Sequence, residues 1–260
     1  MNKLWCAAGA IFGVLGLSTG AMAVDWTVGA GVAAAPDYEG SEDYEAVPLW
    51  NLRAGDLYHP QTYIQVLGPK LRSNFLASDN WRLGLSGQYV RERDDVENNK
   101  VDKLKSTDSG VLLGPLLGYD VMLSGKRVLG FELDPRFDMG DEIGGLVTAR
   151  IRYRAPFGNS SWSFLGTIES TYATSDYMDE FFSINSSDSA RSGLKTFKAD
   201  SGVKDVGANA TVTYSFASGF SISGLASVTQ LLGDAADSPV TDDEGSATQL
   251  LGGALLNYNF

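Results

Sequence analysis

Apolar and polar residues alternate along most of the chain beyond its first 23 residues. The clearest run, at 206–216, has valine, alanine, tyrosine and phenylalanine in one register and glycine, asparagine, threonine and serine in the other. Because successive side chains of a β-strand point to opposite faces, this pattern predicts strands with one apolar and one polar face. We expect twelve strands, at residues 26–36, 44–53, 57–66, 71–75, 81–92, 110–122, 128–137, 146–155, 162–172, 206–216, 220–231 and 249–260.

The segments between these strands fall into two length classes that alternate along the chain. Short segments lie at 77–80, 124–125, 157–160 and 217–219, and longer polar segments at 93–109, 138–145, 175–205 and 233–247. Outer-membrane barrels show this alternation, with short periplasmic turns and longer external loops. For the alternation to hold from the first strand onward, one more pair of strands is needed before residue 77. Gly68-Pro69 marks the turn within that pair. The predicted fold is an all-β, closed antiparallel transmembrane β-barrel of 12 strands, with 10 strands as the alternative.

The first 23 residues differ from the rest of the chain. Lys3 precedes an apolar run at 4–17, and Ala21-Met22-Ala23 offers a small-residue cleavage site, a combination that predicts a secretory signal peptide. A transmembrane helix is the alternative, but the apolar run is shorter than the ~18–20 residues that span a bilayer. We therefore expect a signal peptide at 1–23 and an outer-membrane β-barrel at 24–260, located in the cell outer membrane.

Aromatic residues recur at the strand ends that this topology places on the periplasmic side. Aromatic rings prefer the interface between membrane and water, so their recurrence favours a membrane barrel over a soluble sandwich or a lipocalin-like barrel. The predicted periplasmic girdle consists of Trp26, Trp81, Trp162, Phe216, Phe220 and Phe260. Outer-membrane lipid and lipopolysaccharide are the expected surroundings of the barrel.

The charge balance of the chain is acidic. Once Lys3 is removed with the predicted signal peptide, 19 basic residues remain against 32 acidic ones, a formal net charge of −13. Nucleic acid requires a basic surface, so we expect no nucleic-acid partner. The single cysteine, Cys6, also belongs to the predicted signal peptide, which leaves the mature chain without disulfides or thiol chemistry.

The polar registers of three consecutive strands are charged. An arginine on the lipid-facing surface costs about 2–4 kcal/mol at the membrane centre, so these side chains are expected to face the lumen. The predicted lumen charge cluster consists of Glu132, Asp134, Arg136, Arg150, Arg152, Arg154 and Glu169. Three interpretations are open: an ion-pair network that stiffens the barrel, a selectivity constriction for a small solute, and a catalytic cluster.

Acid–base catalysis has only one histidine to draw on, His59. It lies between Tyr58 and Pro60, near the periplasmic start of a predicted strand, where an interfacial role is expected. The chain contains no G-x-S-x-G, P-loop, dinucleotide-binding or H-E-x-x-H motif. We therefore predict no enzymatic activity, no catalytic residues and no cofactor.

Two external loops carry further features. The loop at 233–247 holds five carboxylates, and Ca²⁺ prefers oxygen ligands. The spacing matches no EF-hand, so we expect a solvated acidic loop, with Asp234, Asp237 and Asp242 as weak metal candidates. The loop at 175–205 contains apolar residues that we expect to fold back into the barrel mouth rather than to dock on a partner. They are Tyr177, Met178, Phe181, Phe182 and Ile184.

Several motifs of the chain resemble the MipA/OmpV family. They are PDYEGS at 36–41, FFSI at 181–184, ARSGL at 190–194, GVKD at 202–205, LLGDAADSPV at 231–240 and the final phenylalanine. The resemblance spans nearly the whole mature chain, and departures cluster at 57–76. It implies an outer-membrane barrel of Gram-negative bacteria without catalytic residues. It also implies, as partners, a lytic transglycosylase that degrades murein and a penicillin-binding protein that polymerises it.

Three functions are consistent with these observations. The first is a scaffold for enzymes that synthesise and degrade murein during cell-wall growth. The second is a porin-like channel for small solutes, with a charged lumen. The third is surface adhesion or a lipid-active barrel.

Overall fold

Residues 24–140, 143–157 and 161–260 are described by a computed structural model of the protein. Twelve antiparallel strands form one closed barrel in which neighbours in sequence are neighbours in space and β12 closes onto β1. The strands are β1 (Asp25–Pro36), β2 (Tyr44–Gly55), β3 (Tyr63–Leu67), β4 (Lys70–Asn74), β5 (Trp81–Val90), β6 (Gly110–Leu123), β7 (Arg127–Asp138), β8 (Gly145–Pro156), β9 (Trp162–Ala173), β10 (Gly202–Ser215), β11 (Phe220–Leu231) and β12 (Thr248–Asn259). The predicted 12-stranded barrel is therefore confirmed. The predicted signal peptide at 1–23 lies outside the described residues.

The apolar register of each strand faces outward, away from the lumen. Ile168 at the middle of β9 is 61 % exposed, and Val212 on β10 and Leu256 on β12 are also exposed. The polar residues between them point inward, as in β10, where Thr213 shares a hydrogen bond with Ser223 of β11. An apolar exterior around a polar interior is the arrangement that a bilayer requires of a barrel.

The six predicted girdle residues lie at or next to strand ends on the side of the short turns, which the predicted topology assigns to the periplasm. Trp26 and Phe260 exchange backbone hydrogen bonds of 3.1 and 3.0 Å, which brings the two ends of the described barrel together. Trp162 packs on Tyr214, with ring centroids 4.9 Å apart, and Phe220 packs on Tyr258 at 4.7 Å. A second ring of exposed aromatic side chains marks the external ends of the strands and consists of Tyr44, Tyr89, Phe137 and Tyr172.

The prediction for residues 57–66 is wrong in its first half. The strand begins at Tyr63, and the residues before it form a turn in which Asp56 has φ 52°. The Thr62 hydroxyl organises that turn: it accepts a hydrogen bond from the Tyr58 amide and donates one to the carbonyl of His59. Strand β10 also begins at Gly202 rather than at 206, because a bulge between Val203 and Asp205 extends its pairing with β9.

The external loops form a folded cap over the barrel mouth. Among the described residues, the cap holds three α-helices, α1 (Ser175–Phe182), α2 (Ser186–Ser192) and α3 (Asp234–Asp237), and a 3-10 helix at Val101–Lys103. In the described part of the chain no helix reaches the length and hydropathy needed to cross a membrane. The cap has two apolar cores. The first surrounds Phe182 and Met178 and includes strand ends such as Leu112 and Leu146; the second surrounds Ile184 and Val240.

All five apolar residues singled out in the loop at 175–205 are buried by this cap. The prediction that the segment folds back into the mouth is therefore confirmed. Gly144 makes this packing possible, because it adopts φ 78° and a β-carbon there would lie 2.7 Å from the backbone nitrogen of Tyr177. Only glycine occupies such a position without displacing the helix.

Candidate functional site

Charged side chains from six neighbouring strands form a continuous cluster on one side of the lumen, which we call the charged wall. Five arginines and four carboxylates belong to it, and each takes part in at least one ion pair. The members are Arg72, Arg82, Asp120, Glu132, Asp134, Arg136, Arg150, Arg152 and Glu169.

Glu132 is the centre of the charged wall. Its side chain is fully buried, and it forms ion pairs with Arg72 and Arg82 and, over 2.8 Å, with Arg152. These three arginines belong to β4, β5 and β8, whereas Glu132 belongs to β7. One carboxylate therefore links four strands across the lumen, which compensates the burial of its charge.

Asp134 and Glu169 extend the cluster toward β10. Asp134 accepts hydrogen bonds from Arg150, at 2.5 Å, and from the Ser86 hydroxyl, at 2.6 Å. Glu169 accepts from Nε of Arg150, at 2.5 Å, and from the side-chain amide of Asn209, at 3.1 Å. Arg150 thus bridges two carboxylates, a geometry that suits the planar fork of guanidinium donors.

The structure brings together six of the seven residues in the predicted lumen cluster. The exception is Arg154, which is exposed and forms no ion pair with any residue that the structure describes. It lies at the periplasmic end of β8, opposite Val128 and Leu165 in the strand register. Position along the strand, rather than register, separates Arg154 from the cluster.

Arg72, Arg82 and Asp120 belong to the charged wall but not to the predicted lumen cluster. A signal was present for two of them, because Arg82 follows the outward Trp81 and Asp120 follows the outward Tyr119. The strand register alone does not give the ion pairs. Glu132 and Arg150 face each other in the register of β7 and β8, but the ion pairs run diagonally, so Glu132 binds Arg152 and Arg150 binds Asp134.

The opposite side of the lumen carries small and uncharged residues from β1, β11 and β12, which we call the neutral wall. Asn257 of β12 is its most polar member and donates a hydrogen bond to Ser223 over 3.4 Å while accepting one from Asn51 over 3.0 Å. The neutral wall consists of Gly29, Gly31, Ala33, Ser221, Ser223, Leu255 and Asn257. The network of ion pairs lies on one side of the lumen, and this asymmetry gives the lumen an electric field that runs across it.

A second buried cluster, which we call the latch, ties the cap to the barrel. Lys204 on β10 forms ion pairs with Glu39 of the first external loop and with Asp205, the latter over 2.7 Å. The Tyr177 hydroxyl of α1 donates a hydrogen bond of 2.9 Å to Glu39. Burial raises the pKa of Tyr177 well above its usual value of 10, so this hydroxyl keeps its proton. The bulge in β10 turns Lys204 and Asp205 inward together, which no sequence pattern indicates.

The remaining predicted candidates lie far from the charged wall. His59 is in the periplasmic turn, where Nδ1 accepts a hydrogen bond of 3.3 Å from the Gln61 amide. Asp234 and Asp237 are the first and last residues of α3 in the cap, and Asp234 accepts a hydrogen bond of 2.7 Å from the Asp200 amide. Asp242 follows in the same loop. Within the described ranges, no group of three or more histidine, cysteine, aspartate or glutamate side chains is arranged to hold a metal ion.

The solved structures to which the chain is similar include outer-membrane proteins. An outer-membrane channel from Pseudomonas putida F1 is 14% identical over 94% of this chain and 100% of its own, with a TM-score of 0.45. OprB from Pseudomonas putida is 9% identical over 91% and 94% of the two chains, with a TM-score of 0.43. OprG from Pseudomonas aeruginosa is 11% identical over 91% and 96%, with a TM-score of 0.28. No curated protein matches the chain.

The family comparison covers nearly the whole barrel. The family model described as MltA-interacting protein MipA matches residues 28–260. This range includes β1 from Val28 onward, the other eleven strands in full, both lumen walls and the cap. The expected resemblance is confirmed: the chain belongs to the MipA family and is an outer-membrane β-barrel.

Proposed function

We propose that this protein is a non-enzymatic scaffold that holds a murein-processing enzyme at the periplasmic face of the outer membrane. The observation that carries the proposal is membership of the family described as MltA-interacting protein over residues 28–260. The implied partner is a lytic transglycosylase, and a penicillin-binding protein is the second candidate partner. A role without chemistry agrees with His59, whose ring nitrogen is engaged in shaping a turn.

Two adjacent periplasmic turns offer the best-defined docking surface. The turn at 56–62 is linked to the turn at 75–80 by Asn74, whose side-chain amide donates hydrogen bonds to the carbonyls of Gln61, at 2.7 Å, and Leu76, at 3.2 Å. Tyr58, which is 55 % exposed, also bonds to this second turn. A pair of turns fixed in this way loses little conformational entropy when a partner binds. Because these residues depart from the family pattern, they would select the enzyme that this member holds.

The test is direct binding between purified components. The barrel in lipid nanodiscs is immobilised, and a soluble form of a lytic transglycosylase or of a penicillin-binding protein from the same bacterium is added. We expect Tyr58→Asp to weaken binding by about tenfold or more, the loss expected from a buried contact at the centre of an interface. Ser218→Asp, in another periplasmic turn, is the matched control and should leave binding unchanged. Absence of binding by the unaltered barrel to either enzyme would refute the scaffold.

A second function, a conduit for small solutes, is favoured by the asymmetry of the lumen. The charged wall faces the neutral wall, and five arginines against four carboxylates give the charged wall an excess of positive charge. A field of this kind orders and selects charged solutes as they pass. The test is ion conductance in planar bilayers. We expect conductance that favours anions, and Arg150→Gln should reduce that preference; a barrel that stays silent even after deletion of the loop at 183–200 would exclude this function.

A further inference from the structure

The barrel wall is incomplete on its external side. Strand β2 pairs with β1 over residues 44–55 but with β3 only over 51–55. The reason is the shortness of β3 and β4, which have five residues each and are joined at Gly68, where φ is 53°. The external half of β2 therefore has a ladder partner on one side only. We call the opening between this half of β2 and the end of β5 the notch.

The backbone at the edge of the notch is adapted to this opening. The carbonyl of Trp50 accepts a hydrogen bond of 2.8 Å from Gly68, so the backbone groups of Trp50 point toward the hairpin. Alternate residues of a strand direct their backbone groups to the same side, so those of Tyr44, Ala46 and Pro48 point into the notch. Proline has no N–H, and its presence is typical of an unpaired strand edge. No residue in the described part of the chain pairs with the backbone groups of Tyr44 and Ala46 on this side.

The position of the notch relative to the membrane is defined by aromatic residues. Tyr44 and Tyr89, on its two sides, belong to the external aromatic ring. The notch extends from this ring toward the membrane centre, as far as Trp50. Above it, Arg91 forms ion pairs with Glu45 and Asp37. The opening therefore faces the outer leaflet, where an open strand edge has no water to satisfy it.

Behind the notch, the inward residues change from apolar to cationic. Val47 and Leu49 of β2 and Leu67 of β3 line its inner side, and Leu67 is 38 % exposed. Directly after the Gly68-Pro69 turn, Lys70 shares the inward register of Arg72. Lys70 is exposed within the lumen, at electrostatic range of Glu169 and Arg150, and has no ion-pair partner within 4.0 Å in the described part of the chain.

We infer that the notch is a lateral binding site for a single-chain anionic amphiphile, such as a long-chain carboxylate, that enters from the outer leaflet. The carboxylate accepts hydrogen bonds from the Lys70 ammonium, and the alkyl chain lies along Leu49 and Leu67 and leaves the barrel past the open edge of β2. A gap left by one hairpin is two strand spacings wide, roughly 10 Å, which admits one alkyl chain. The excess of arginine on the charged wall favours an anion. This site is independent of the periplasmic scaffold and of water-filled conduction, because its ligand arrives through the membrane.

The first test measures binding of cis-parinaric acid, a fluorescent long-chain carboxylate, to the whole barrel in nanodiscs. We expect saturable binding that Lys70→Gln weakens by about tenfold, the loss expected for one charge-assisted hydrogen bond. Lys126→Gln, in a periplasmic turn, is the matched control. The methyl ester of the same acid should bind poorly to every variant, and butyrate should not compete, since it has the charge without the chain. Equal binding by Lys70→Gln and the unaltered protein would overturn the proposal.

The second test locates the ligand and does not depend on the lysine. Palmitic acid that carries a photoreactive diazirine is cross-linked to the barrel, and the labelled peptides are identified. We expect labels at 44–50 and 66–70, and Leu49→Trp should remove them by filling the notch. Equal labelling around Ile168 would identify ordinary boundary lipid, and cross-links between two copies of β2 would identify strand pairing; either result would overturn the inference. Heat-dependent gel mobility shows that each variant has folded.

Discussion

The barrel wall and the external cap bury their apolar side chains in opposite directions. In the wall, apolar residues such as Ile168 face outward and the ion pairs around Glu132 lie inside. In the cap, Phe182 and Met178 are almost completely buried, and charged side chains such as Lys105 and Asp108 lie on the surface. The wall is thus stabilised by its contact with lipid, whereas the cap has an interior like that of a small water-soluble domain.

This difference explains why the barrel wall and the cap tolerate opposite substitutions. In lipid, the backbone hydrogen bonds of the closed sheet maintain the wall, and outward side chains need only be apolar. In the cap, the loops lack a continuous ladder, so close packing and the latch at Lys204 hold them in place. Substitutions that exchange the two environments test this comparison directly.

The largest effect is expected from a cavity in the cap. Phe182→Ala should lower the free energy of unfolding of the cap by about 3–5 kcal/mol, because the surrounding helices and strand ends cannot close the space. Ile168→Ala, on the lipid face of the wall, should cost far less, since lipid chains fill the space. The measurement is limited proteolysis of the loop at 183–200 together with heat-dependent gel mobility of the barrel. Equal losses of stability in the two variants would show that the wall depends on close side-chain packing as much as the cap does.

The next effect comes from a charge on the wrong face of the wall. Ile168→Arg should destabilise the barrel by about 2–4 kcal/mol, the cost of an arginine at the membrane centre. Thr167→Arg is the matched variant, one residue away and facing the lumen beside Arg152 in the strand register. Urea titration of folding into phospholipid vesicles measures both. If Thr167→Arg is the more destabilising variant, the assignment of faces in β9 is wrong.

A smaller effect is expected inside the charged wall. Glu132→Gln keeps the shape of the side chain but leaves Arg72, Arg82 and Arg152 without their shared carboxylate. We expect a loss of about 1.5–3 kcal/mol, the range for a hydrogen bond to a charged group. The proteolysis pattern of the cap should not change, because the cap has its own core. Urea titration of the barrel measures the loss, and a variant as stable as the original would mean that the network contributes nothing to stability.

The smallest effect is a weakening of the cap at alkaline pH. Burial raises the pKa of Tyr38 to about 12, and that of Tyr177 is also raised. A tyrosine whose pKa is higher in the folded than in the unfolded protein stabilises the folded state fully at any pH below its unfolded pKa, near 10. This contribution is lost as the pH rises through the folded pKa. Proteolysis at 183–200 should therefore increase from pH 10 to pH 12. In the double variant Tyr38→Phe and Tyr177→Phe, the increase should be absent; an unchanged increase would assign it to other groups.

Much of the wall was predictable from the sequence, because a strand between lipid and a hydrated lumen has a strict period of two. That period gives the faces of Val212 and Tyr214 and places Glu132 and Arg150 in the lumen. The alternation shows which face a residue belongs to but not how far along the barrel axis it lies. For this reason Arg154 was grouped with residues that it does not contact. Short strands give a weak pattern, so the turn before Tyr63 was assigned to β3.

The cap and its latch were predictable only in part. The apolar residues in the loop at 175–205 indicated that the segment folds inward, and it does. Their partners come from distant segments of the chain, among them Leu112 of β6, Leu231 of β11 and Val240 of the last external loop, so no local pattern identifies them. Lys204 and Glu39 are 165 positions apart, and a bulge in β10 is needed to bring them together.

The sequence by itself determined the class of fold and, for most residues of the wall, the face to which the side chain belongs, and it favoured 12 strands over 10, because alternation is a local property imposed by the membrane. Only the tertiary structure decided which charges form ion pairs, how the cap closes the mouth and where the wall opens between β2 and β5. Those features depend on the shear between strands and on contacts between distant loops, and both arise only when the barrel closes.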